Sequence, residues 1–341
     1  MEFLGKSVLD SPAALLSWLG RQGPRAVAAL IVIGIALPPI GALFKPFVTE
    51  AVFVLLCIAF LRVDATAFKR YLGRPAIVLA ATSWTSVAIP ILFGASYLAF
   101  GLKDQSPDIF LALTLQAMAP PLMAAPALAT LIGLDATLVL CTMVASTALL
   151  PLTAPLFAYA FLGHALTLSP FVLGLKLLGI LAGSALVGFT VRRMAGLAAV
   201  ERQKDRIDGF NILVMFVFVS AMMESVAARF LAAPIITIGL AALAFLVAFA
   251  VLCLTTLLFA SAGRERAITL GFTASQRNTG LMLAATAGAL PDLSWLYSAF
   301  TYFPLYLLPL LLHPLARRII ARAQTTVTPY ERQPDEKSTE V

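Results

Sequence analysis

Two long apolar stretches of this chain are each interrupted at the middle, one by Gln116-Ala117-Met118-Ala119-Pro120-Pro121 and the other by Thr273-Ala274-Ser275-Gln276-Arg277-Asn278-Thr279-Gly280. Backbone that leaves helical geometry inside a bilayer persists only where protein or a water-lined cavity satisfies its polar groups. A matched pair of such breaks therefore points to a central transport site. The breaks constrain the fold more than any other feature, because they fix which parts of the chain meet at mid-membrane.

That the medium is a membrane follows from composition. Of 341 residues 60% are hydrophobic and 12% charged, too little polar surface to cover a water-soluble globule of this size. The apolar runs are long enough to span roughly 30 Å of hydrocarbon, whereas barrel strands show only short alternating segments of about ten residues. The expected fold class is an all-α polytopic membrane protein with ten spans, at 25–43, 46–62, 75–99, 108–133, 136–162, 168–191, 209–230, 234–262, 266–289 and 293–315.

The expected organisation is an amphipathic N-terminal segment over 1–23, a first repeat of five spans plus the sixth over 24–196, and a charged cytoplasmic loop over 197–208. Spans seven to ten follow over 209–316, then a polar cytoplasmic tail over 317–341. The net charge of +7 is not a nucleic-acid signature. All 24 basic residues except Lys45, Lys103, Lys176, Arg229 and Arg277 fall at the N-terminus, in alternate connections or in the tail. That asymmetry places both termini in the cytoplasm of a cell with the chain in its inner, or plasma, membrane. Cys57, Cys141 and Cys253 all lie within apolar spans without pairing or ligand spacing and read as small packing residues.

Ten spans divide five and five, and an odd number per half makes the halves opposite in orientation, an inverted repeat whose broken spans four and nine cross. Pro120 and Pro121 remove two backbone donors, while Ser275, Gln276, Asn278 and Thr279 bring polar side chains to the second break. The other intramembrane prolines, Pro38-Pro39, Pro90, Pro151, Pro155, Pro304 and Pro309, read as ordinary helix kinks.

Ala119-Pro120-Pro121-Leu122-Met123-Ala124-Ala125-Pro126, then Gly133-Leu134-Asp135-Ala136-Thr137-Leu138, Ser146-Thr147-Ala148-Leu149-Leu150-Pro151 and Gln276-Arg277-Asn278-Thr279-Gly280-Leu281, resemble motifs of the bile acid:sodium symporter family. The resemblance implies a core domain of spans three to five and eight to ten moving against a panel of spans one, two, six and seven, with substrate bound between them. The departures are chemical. Where sodium-coupled members carry Ser-Asn, this chain has Ala125-Pro126; Thr273 stands at the position of an acid and Arg277 at that of a glutamine. Sodium takes hard oxygen ligands, so the resemblance implies a carrier with degraded sodium sites.

Arg277 lies near the centre of a span, where insertion of an arginine costs about 2.5–3.5 kcal/mol. Two roles stay open. Its planar fork either replaces a coupling cation and attracts an anionic substrate, or pairs with Asp135 or another buried acceptor as a staple alone. Asp135 itself sits where an N-cap belongs. Gln116, directly before the Pro-Pro break, and Asn211, at the start of span seven, complete the candidate substrate-binding set of Gln116, Pro120, Pro121, Pro126, Asn211, Thr273, Ser275, Gln276, Arg277 and Asn278. Glu50, Glu224 and Lys176 rank below these, and His164 and His313 lack metal-pair spacing.

The expected function is secondary transport of a small organic anion by alternating access, without a cofactor and with sodium, proton or no coupling all open. The expected partners are that anion and the lipid bilayer, with no nucleic acid. The alternatives are a sodium-coupled bile-acid-type symporter and, in another class, an intramembrane enzyme, for which Asp135 lacks an in-span acidic partner.

Overall fold

The computed structural model describes residues 12–22, 24–62, 75–163, 166–286 and 290–325. His164, Lys69, Arg70, Arg74 and the tail beyond 325 lie outside them. Among the described residues the regular elements are all helices, without strands. Seven helical runs, Pro38–Arg62, Pro75–Ala99, Ala136–Leu162, Pro170–Ala195, Lys204–Ala232, Pro234–Leu258 and Asp292–Pro314, are long and apolar enough to cross a bilayer. The chain is an all-helical, membrane-embedded protein.

The main helices, in chain order, are α1 Pro12–Gln22, α2 Pro24–Ala36, α3 Pro38–Phe44, α4 Val48–Arg62, α5 Pro75–Ala99, α6 Pro107–Met118, α7 Ala125–Ile132, α8 Ala136–Leu162, α9 Pro170–Ala195, α10 Lys204–Ala232, α11 Pro234–Leu258, α12 Arg264–Ser275, α13 Thr279–Thr286, α14 Asp292–Phe300 and α15 Tyr302–Thr325.

The run Pro38–Arg62 is helical from end to end yet reverses direction. Gly34 abuts Ser220 and Gly41 abuts Glu224, so α2 and α3 advance in step with α10, whereas Leu16 abuts Gly209 and Gly20 abuts Asp205, so α1 runs against it. Lys45 then pairs with Glu224 at 2.9 Å and Arg62 with Asp208 at 2.6 Å, so α4 runs back along the same helix. The reversal falls at the 3-10 turn Lys45–Phe47, where Pro46 supplies no N–H to continue an α-helix.

The amphipathic opening is a helix docked along the first turns of α10, where side chains at Gly20 and Gly209 would strike the carbonyls of Asp205 and Leu16. Glycine at both positions lets the two backbones approach, a device common between membrane helices. The charged connection 197–208 is helical from Leu197 to Arg202, and α10 begins at Lys204.

The α4 helix lies parallel to α9, with the Phe53 ring on Gly183 and the backbone of Cys57 against Gly188. Elsewhere α5, α6, α8, α11, α12 and α15 pack largely on one another. The Asp292–Pro314 run is the most enclosed, with 72% of its apolar window buried against 28–44% in the other six, so it forms the axis around which the broken helices sit.

Candidate functional site

Both interruptions expected from the sequence are present, and each has its own cause. The first helix ends because a residue preceding proline is pushed out of the α region. Ala119 takes φ −60° and ψ 140°, and Pro120 and Pro121 carry the chain in extended form before α7 begins at Ala125. The second break contains no proline. Gln276 leaves helical geometry at φ −84° and ψ 78°, and the side-chain oxygen of Asn278 accepts the Leu281 N–H at 3.2 Å, capping α13 as a fresh N-terminus.

The two extended pieces meet as a single antiparallel bridge between Pro121 and Arg277. Leu122 N–H donates to the Gln276 carbonyl and Asn278 N–H to the Pro120 carbonyl, both at 2.7 Å. Such a bridge bonds through the residues on either side of the paired positions, so Pro121, which has no N–H, fits at the paired position without leaving a bond unmade. Each break thus satisfies polar groups that the other exposes, which is how non-helical backbone is tolerated in an apolar medium.

Arg277 is 4% exposed, and its Nη1 donates to the carbonyls of Ala119 at 2.7 Å and Thr85 at 3.2 Å. The Thr85 carbonyl is free for a local reason. Residues Trp84–Ala88 form a π-helical turn in which Ile89 N–H bonds to Trp84, five residues back. The next donor in that register would be residue 90, and Pro90 has none. Pro90, read from sequence as an ordinary kink, is therefore what presents an acceptor to Arg277. Asp135 is engaged as the N-cap of α8, accepting the N–H groups of Thr137 and Leu138 at 3.0 Å each.

Around the bridge, Gln116 accepts a 2.6 Å hydrogen bond from the Tyr297 hydroxyl, and Thr279 and Thr301 share one at 2.9 Å. Gln116, Ser275 and Arg277 line a small cavity with Tyr97, Phe93 and Val251, about 10 Å³ in volume. Both polar atoms of the Gln276 amide, and the hydroxyls of Thr114, Thr142, Ser146 and Thr147, are buried without a protein partner.

Of the residues singled out from sequence, Gln116, Pro120, Pro121, Ser275, Gln276, Arg277 and Asn278 lie at the crossover or its cavity. Thr273 lies one turn earlier, its hydroxyl donating to its own helix at Thr269, 2.7 Å away. Pro126 is half-buried in the first turn of α7, and its carbonyl accepts from Thr130. Asn211 sits two turns along α10 from Phe218, the residue of that helix that meets Gly280, so it is not brought to the crossover.

Thr85, Pro90, Tyr97 and Tyr297 belong to the site and were not among the candidates. The only signal available for the tyrosines was a hydroxyl within an apolar span, and a backbone carbonyl gives none. No protein-family model matches the chain, and no curated protein matches it.

Proposed function

We propose that the chain is a secondary carrier that moves a small organic anion across the inner membrane by alternating access, in a fold of ten spans arranged as two inverted halves. The observation that carries this reading is the backbone bridge joining Pro121 to Arg277 across two interrupted helices. Broken spans whose half-helix ends face one another create a polar site at the bilayer midplane, the arrangement used by many secondary transporters.

Packing supports the repeat. Numbering the spans in order, the first (α2 and α3) packs on the seventh (α10) and the second (α4) on the sixth (α9), a relation preserved when each number is shifted by five. The fourth (α6) packs on the tenth (α14), and correspondingly the ninth (α12) on the fifth (α8). Ion pairs at opposite ends support a sided molecule: Arg62–Asp208 at the end that the basic connections assign to the cytoplasm, and Lys45–Glu224 and Arg229–Asp292 at the other.

The contacts also favour one conformation. At the Lys45 end α13 rests on α4 and α9 and α14 rests on α10, whereas α7 and α12 pack on α8, α11 and α15. A carrier open toward the cytoplasm has this asymmetry. Membership of the bile acid:sodium symporter family remains part of the proposal. It is a divergent form in which Arg277 takes the place of a bound cation between the carbonyls of Thr85 and Ala119.

The test is uptake by the purified chain in proteoliposomes, screening bile acids, keto acids and other monocarboxylates with and without sodium and a proton gradient. The account expects saturable uptake of one carboxylate class, indifferent to sodium. Uptake no faster than in protein-free liposomes for every class overturns it.

A further inference from the structure

The hydrogen bonds of Arg277 use only part of its guanidinium. Nη1 is committed to Ala119 and Thr85, while Nε and Nη2 are buried and have no partner. These two nitrogens form one edge of a planar fork whose spacing matches the two oxygens of a carboxylate. Tyr97, on a different helix, lines the same cavity, and its hydroxyl is likewise buried without a partner. Two residues that line one small space thus carry three buried donors without a protein partner.

Charge points the same way. Arg277 is the one charged side chain in the buried set among the described residues, and its protein acceptors are neutral carbonyls. A desolvated cation at this depth is strongly destabilising unless an anion or a dense set of acceptors compensates it. Size then limits the occupant, since the space of about 10 Å³ is walled by Phe93, Ile89 and Val251.

We infer that the free edge of Arg277, together with Tyr97, forms a partly enclosed site for one small planar oxyanion of formate size, among α5, α6, α11 and α12. The anion bonds side-on to Nε and Nη2 and accepts a third hydrogen bond from the Tyr97 hydroxyl. It neutralises the crossover without leaving it, which distinguishes it from the transported solute, whose skeleton is too large for this space. The inference does not depend on the transport reading, because binding is measurable on the isolated protein without a gradient.

The experiment follows the melting temperature of the purified full chain in detergent as formate replaces gluconate at constant ionic strength. Binding to the folded state raises that temperature saturably. Tyr97→Phe keeps the ring and the Arg277 staple but lacks the third donor, so its half-saturating formate concentration rises about tenfold. Arg277→Lys, a charge without a fork, loses the saturable response, and benzoate gives none in the unaltered chain. No saturable formate effect in the unaltered chain, which means water alone in the cavity, overturns the inference. So does an unchanged response in Tyr97→Phe, chloride saturating below formate, or benzoate matching formate, which would make the space part of an open solute cleft.

Discussion

Arg277 and Pro90 are nearly 200 residues apart in sequence, yet their chemistry is joined through the Thr85 carbonyl, 192 residues from Arg277. If Pro90 leaves that carbonyl free, Pro90→Ala restores an N–H that competes for it and weakens the staple by about 1 kcal/mol. The expected reading is a melting temperature a few degrees lower in the purified protein, and no further loss when the same change is made in an Arg277→Gln background, as a double-mutant cycle requires. At this scale the sequence announced the arginine, because a guanidinium in an apolar span is conspicuous. It also announced the Asp135 cap, from Asp followed by helix formers. The partners of Arg277 were not legible, since backbone carbonyls are common to every residue and only the π-helical turn at Trp84–Ala88 shows which one is free.

Helices α6 and α12 are interrupted by different means, and substitutions should separate them. Asn278→Ala removes the cap on Leu281 and should cost about 1 kcal/mol, lowering the melting temperature without removing the bridge, whose bonds are backbone to backbone. Gly209→Val places a branched side chain against the Leu16 carbonyl and should cost about 1–3 kcal/mol by prising α1 from α10; a melt unchanged within error would contradict that packing.

Long uninterrupted apolar runs transferred well from sequence to structure: the spans expected at 75–99 and 136–162 are the helices Pro75–Ala99 and Ala136–Leu162. The segment expected at 25–43 is helical as α2 and α3. Hydropathy carries no signal for the docking of α1, which is held by backbone proximity at two glycines. Nor does it show the helix at Leu197–Arg202, whose charged residues are compatible with either a helix or a loop.

At the scale of the whole molecule, several side-chain contacts gather at the Lys45 end. Besides its pairing with Glu224, the Lys45 ammonium sits 5.4 Å from the centre of the Trp295 ring, and Arg229 reaches Asp292 at 3.5 Å. Each exposed contact is weak alone. Together they join the Lys45–Phe47 turn, α10 and α14 across the proposed seam between panel and core. Lys45→Gln should therefore raise several-fold the rate at which a thiol reagent modifies a cysteine at position 49, where Thr49 bonds the Ala284 carbonyl, in a chain otherwise lacking cysteine. An unchanged rate would remove this contact from the gate. The membrane class was written in composition, and the breaks in local sequence; the reversal at Lys45–Phe47 became visible only through contacts distant in the chain.

The central claim is that a fixed guanidinium holds the crossover where a bound cation would otherwise do so. Its most direct test is carboxylate uptake into proteoliposomes with sodium replaced by choline, in the unaltered chain and in Arg277→Gln. The account predicts equal rates with and without sodium for the unaltered chain, and loss of at least about tenfold in the variant. Uptake that requires sodium, or an Arg277→Gln carrier as active as the unaltered one, would contradict it.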